Sequence, residues 1–128
     1  MALKLLLDAN FLMLPAQRGI DVFDELFGLF NESYGLVTLS TVVHELEGIS
    51  ASPGRDASAA AVALKLIEDR NVQVVECTGT ADESIQQYAL QNKGKVVVCT
   101  NDQGLKSSLR TQGIGVVCMR GKDRLIRV

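Results

Sequence analysis

No tryptophan occurs in this chain and aromatic residues make up only 5% of it, so no platform for stacking nucleic-acid bases is visible. The three cysteines, Cys77, Cys99 and Cys118, are far apart and form no CxxC pair. That spacing argues against a thiolate zinc site or a disulfide framework. Each cysteine lies in or beside an apolar, strand-like run and reads as a buried thiol in a reducing cytoplasm. Low-complexity runs are missing, and no apolar stretch approaches the roughly 20 residues needed to cross a bilayer; no membrane is an expected partner. The apolar start, Leu3 to Leu7, stops at Asp8, too short for a secretory leader and without a small-residue cleavage site. No GxGxxG follows a strand and no GxxxxGK[ST] exists, which excludes the common nucleotide cradles. His44-Glu45 opens an HExxH pattern, but position 48 is Gly48, so a zincin reading fails. Asp8-Ala9-Asn10 lacks the second acid of a haloacid-dehalogenase DxD, and the acidic pair and later phosphoacceptor of a receiver domain are missing too.

What is present suits one domain spanning residues 1–128, with a 47% hydrophobic content sufficient for a real core. The net charge of −2 conceals a division: residues 1–92 carry five basic against thirteen acidic side chains, residues 93–128 eight against two. An acidic part can hold cations and a basic part can meet phosphates.

Leu3 to Leu7 is continuously apolar in the manner of a parallel strand covered on both faces. Asp8-Ala9-Asn10 then offers turn and cap chemistry, and residues 21–30 place Val22, Phe23, Leu26, Phe27 and Phe30 on one helical face. A strand at 35–39 ends at Ser40-Thr41, good N-cap types for a helix through Glu45. After the break at residues 50–54, an alanine-rich helix over 55–70 leads to a strand at 72–75. Thr80 and Glu83 have capping-box spacing and open the next helix. A strand at 96–99, a helix at 102–111 closed by Gly113, and a fifth strand at 116–119 complete the alternation. Residues 120–128 form a charged tail with the makings of a short extra strand. The pattern predicts an α/β fold, a three-layer α/β/α sandwich around a central, mainly parallel five-stranded sheet.

In such sheets ligands bind beyond the carboxyl ends of the strands. Asp8, Glu45 and Asp102 fall there, and Asp82, which the capping box does not use, is free to join them. Four ionised carboxylates in one place oppose one another without a counter-ion. Magnesium or manganese removes that conflict, because hard cations favour carboxylate and water oxygens and leave positions for phosphate. Asp8, Asp82 and Asp102 equally suit helix starts. Glu45 lies beyond the positions where a helix terminus rewards an acid.

Taken together, D-A-N after the first strand, V-V-H-E-L-E-G, T-A-D-E-S-I and V-V-V-C-T-N-D-Q-G-L-K resemble the ordered motifs of PIN-domain nucleases over essentially the whole chain. The resemblance implies a metal site of Asp8, Glu45, Asp82 and Asp102, supported by Asn10 and by Thr100 or Asn101. It implies endonucleolytic hydrolysis of RNA to a 5′-phosphate and a 3′-hydroxyl. T-A-D-E-S-I and the basic region after T-N-D look most similar to the ribosomal-RNA-processing branch, with a ribosomal-RNA precursor as partner, while VapC-like toxins are the competing branch. A PIN-like module that binds RNA or protein without cutting is the alternative of another class. Lys93, Lys95, Lys106, Arg110, Arg120, Lys122 and Arg124 are candidates for holding backbone phosphates, and a homodimer follows from family analogy.

Overall fold

The computed structural model describes Ala2–Val128. Its sheet is built from the apolar runs: β1 (Leu3–Leu7), β2 (Tyr34–Leu39), β3 (Gln73–Val75), β4 (Val96–Cys99), β5 (Gly115–Arg120) and β6 (Arg124–Arg127). The order is β3-β2-β1-β4-β5-β6, parallel throughout except for antiparallel β5–β6. The sheet therefore has six strands where the sequence pattern counted five. The extra one comes from the charged tail: Gly121, at φ 70°, allows the chain to turn back on β5.

Helices α1 (Ala9–Leu12), α2 (Leu14–Arg18), α3 (Val22–Leu29), α4 (Ser40–Ala51), α5 (Ala57–Asp69), α6 (Ala81–Gln91) and α7 (Gln103–Thr111) make the connections and flank the sheet. Leu5, Leu6 and Leu7 on β1 are fully buried, as are Val37 and Leu39 on β2 and Val98 and Cys99 on β4. Each such aliphatic side chain contributes roughly 1.5–3 kcal/mol by leaving water. Central strands covered by helices thus hold the loops at their carboxyl ends in fixed positions.

Two helices escape the sequence reading. With four and five residues, α1 and α2 are too short to show an apolar stripe. Asp8 starts the first, accepting from the Ala9 backbone N–H at 2.8 Å, and Gly19 at φ 68° ends the second. A further correction concerns α4, whose N-cap is Leu39, not Ser40 or Thr41. The Ser40 hydroxyl instead accepts from the Cys77 backbone N–H at 3.0 Å and donates to its carbonyl at 3.2 Å. Thr41 shares a 2.7 Å hydrogen bond with Ser84. These two residues fasten α4 to the segment after β3 and to α6. Cys77 is only half-buried, whereas Cys99 and Cys118 are buried; all three are free thiols.

The capping box of α6 forms as its spacing predicts, with Thr80 accepting from the Glu83 N–H at 3.1 Å and Glu83 accepting from the Thr80 N–H at 3.2 Å. Thr80→Ala should cost about 1 kcal/mol of stability. A lowered denaturant midpoint with an unchanged slope is the expected result, and an unchanged midpoint would show that the box contributes nothing.

Candidate active site

The chain runs outward from β1 to β2 and β3, then returns to place β4 on the other side of β1. That reversal makes a crevice between the carboxyl ends of β1 and β4, the location where open α/β sheets take ligands. A cleft of about 580 Å³ lies there, its lining including Asp8, Asn10, Thr41, His44, Glu45, Asp82 and Asp102. The four acids come from four different segments. Asp8 follows β1, Glu45 stands on α4 after β2, Asp82 is the second residue of α6, and Asp102 precedes α7 after β4.

Leu7 pairs with Cys99 across the central ladder, which sets Asp8 beside Thr100. The Asp8 backbone N–H donates to the Cys99 carbonyl at 3.0 Å, and the Thr100 hydroxyl donates to Asp8 Oδ2 at 2.7 Å. Thr100 Oγ1 also accepts from the Asp102 N–H at 3.1 Å, so one buried hydroxyl ties the two acids' positions together. Asn10 Oδ1 accepts from the Asn101 N–H at 3.0 Å and fixes the loop between β4 and α7. Asn101 turns away from the cleft: its Oδ1 accepts from the Met119 N–H at 2.8 Å and pins that loop to β5. Asn10 and Thr100 thus make hydrogen bonds at or beside Asp8 and Asp102, while Asn101 bonds toward β5.

Asp8 and Asp102 do cap helices, as their residue types allow, and both remain available to the cleft. Asp102 Oδ1 accepts from the Leu105 N–H at 2.8 Å. A carboxylate has about four lone-pair sites, so the cap leaves capacity for a ligand. Glu45 is six residues past the Leu39 cap and exposed; the helix end does not account for it.

Desolvation dominates the electrostatics, and like charges add to it. Burial pushes the Asp8 carboxyl above the usual carboxylate range; the hydrogen bonds from Thr100 and Ala9 oppose this, and the charges of Asp102 and Asp82 add to it. Glu45 is also raised, first by desolvation and then by Asp8 and Asp82. Among the described residues no group of three or more His, Cys, Asp or Glu side chains converges tightly enough to ligate an ion. The four acids line the walls of the cleft, and their carboxylate oxygens, beside the Thr41 hydroxyl and the Asn10 amide, are of the type a hard divalent cation favours.

The basic residues divide by edge. Arg120 ends β5, Lys122 lies in the β5–β6 turn and Arg124 begins β6, all at the carboxyl edge that carries the cleft. Lys106 is in the second turn of α7, and Arg110 one turn further away. Lys93 and Lys95 precede β4, at the opposite edge, with Lys93 beside Gly113; the sequence grouping did not foresee that separation. Thr41 was missed as a lining residue, although its spacing of four from Glu45 places both on one helix face.

A family model described as PIN like domain matches residues 5–122. No curated protein matches in sequence. Among solved structures the fold is similar to that described as "Structure of the PIN domain endonuclease Utp24", with a TM-score of 0.79 and 27% identity, covering 98% of this chain and 92% of that one.

Proposed function

Because the chain belongs to the PIN-like domain family, we propose that it is a divalent-metal-dependent endoribonuclease acting in ribosomal-RNA processing. The observation that carries this reading is that Asp8, Glu45, Asp82 and Asp102, from four segments, line one cleft at the β1/β4 reversal. The likeness to a PIN domain endonuclease supports cutting within a chain. The assignment to ribosomal RNA rests on the T-A-D-E-S-I segment and on the basic region after Asp102.

Asp8 and Asp102, linked through Thr100, would be the principal metal ligands, and Glu45 and Asp82, which line the same cleft from α4 and α6, would hold a second ion or orient water. A bound magnesium or manganese ion supplies Lewis acidity toward phosphoryl oxygens and water. Thr100 keeps Asp8 Oδ2 aimed, and Asn10 keeps the loop preceding Asp102 in place. Lys106, Arg120, Lys122 and Arg124 surround the same edge and hold backbone phosphates near the acids. Lys93 and Lys95 reach only an RNA that extends around to the far edge.

Double replacement Lys106→Ala with Arg110→Ala should weaken RNA binding across sequences. It should flatten the salt dependence by about 0.7 in log–log slope per lost contact to a single strand. An unchanged slope would make both residues a solvated helix face.

A second reading, binding without cutting, draws on the open spacing of the acids among the described residues. A panel of single-stranded RNAs incubated with manganese separates the two. Shortened products that disappear with chelator support the nuclease, and RNA that is bound but intact supports the module.

A further inference from the structure

The face of α4 that carries Thr41 and Glu45 continues beyond the cleft. Residues 41, 45, 48 and 52 follow at spacings of four, three and four, which keeps them on one side of the helix axis over about 16 Å. Glu45, Gly48 and Ser52 line a second groove of about 670 Å³, completed by Pro53, Gly54 and Arg55 of the connection to α5. Glu45 lines both cavities, so the groove borders the acidic cleft.

Gly48 is the informative residue. It sits inside α4, where glycine is among the poorest helix formers. Its backbone is not left-handed, and a Cβ there would meet nothing within 4 Å. Neither conformation nor packing therefore requires glycine. Its missing side chain leaves the groove floor bare, which lets another backbone approach closely. Arg55 is exposed at the rim and pairs with no carboxylate among the described residues. Asp56 also lines the groove, with its Oδ1 held by Gln17 Nε2 at 3.1 Å, which leaves Arg55 as the one cation in the lining.

The substrate of an endonuclease continues on both sides of the bond that is cut. In the sheet order α7 and the β5–β6 turn lie to one side of β1, and α4, which follows β2, lies to the other. On the endoribonuclease reading, we infer that the Gly48 groove holds the single-stranded RNA arm on the side of the scissile phosphate away from α7. The sugar-phosphate backbone lies along the bare face of α4, and one phosphate meets Arg55.

The test starts from a single-stranded RNA whose cleavage position has been mapped in the wild type, together with the same RNA shortened from each end. Gly48→Leu should keep or raise the Tm, because the new side chain enters open space and removes a helix glycine. On the full RNA it should raise KM about tenfold with kcat within about twofold. Arg55→Ala should reduce the salt slope of binding by about 0.7. Shortening one arm should cost the wild type a similar factor, and on that shortened RNA the wild type and both variants should converge. Unchanged KM and unchanged salt slope in the two variants, with the wild type cutting normally, would overturn the groove and leave the nuclease standing. Equal losses on the full RNA and on both shortened RNAs would also overturn it, since the effect would then not depend on an arm. A wild type that neither binds nor cuts any RNA removes the nuclease reading, and the groove assignment with it.

Discussion

Glu45→Gln is expected to lower metal-dependent RNA cleavage by about 10²–10⁴-fold while the fold stays intact. The residue is exposed, lies past the first turn of α4 and accepts no hydrogen bond among the described residues, so its removal breaks nothing that holds the helix. Its carboxyl is raised by desolvation and by the charges of Asp8 and Asp82. A carboxyl raised in the folded state makes its full contribution to stability below the unfolded value, here 4.5, and loses it as the pH rises through the folded value. Glutamine mimics the protonated form. In chelator at pH 7 the variant should therefore unfold at the same temperature as the wild type or higher, and the difference should vanish below about pH 4. Near-wild-type turnover in manganese, from a variant that unfolds normally, would remove Glu45 from the site.

Manganese should stabilise the wild type by roughly 2.7 kcal/mol at a hundredfold excess over its dissociation constant, and by less in Asp102→Asn. Asparagine can still accept the Leu105 N–H, so the cap of α7 survives the exchange. The loss of a ligand charge is then read without a loss of helix. Metal-free Asp102→Asn should be at least as stable as the wild type, because the Asp102 charge is one of the causes that raise Asp8. The gain from manganese should also fade as the pH drops through the raised Asp8 and Glu45 values, since protons compete for the same oxygens. If Asp102 only caps α7, wild type and variant will show the same metal shift at every pH.

Local patterns were legible in the sequence wherever a feature is decided within a few residues. The apolar run Val96–Cys99 is a buried strand, the Thr80–Glu83 pair forms its box, and Gly113 adopts the left-handed conformation just past α7. The place of Asp8 at the cleft was legible for a related reason, because a carboxylate directly after a parallel strand stands at the ligand edge whatever the rest of the chain does. Features decided by distant partners were not. Ser40 looks like a cap by type, but Cys77, 37 residues away, takes its hydroxyl. Lys93 and Lys106 are close in sequence yet separated by β4, which carries the chain from one edge of the sheet to the other. The bare face around Gly48 emerged only when the helix could be seen with the groove beside it.

The measurement that bears most directly on the central claim is cleavage of a single-stranded RNA against free manganese, for the wild type and Asp102→Asn, beside the manganese-dependent unfolding of the same two proteins. A single acidic site that both holds the ion and cuts predicts no cleavage in chelator. It also predicts that wild-type turnover rises over the manganese range that stabilises the fold, and that both curves move to higher manganese together in the variant. RNA cut equally well in chelator and in manganese, or turnover and stabilisation that respond to Asp102→Asn independently, would contradict it.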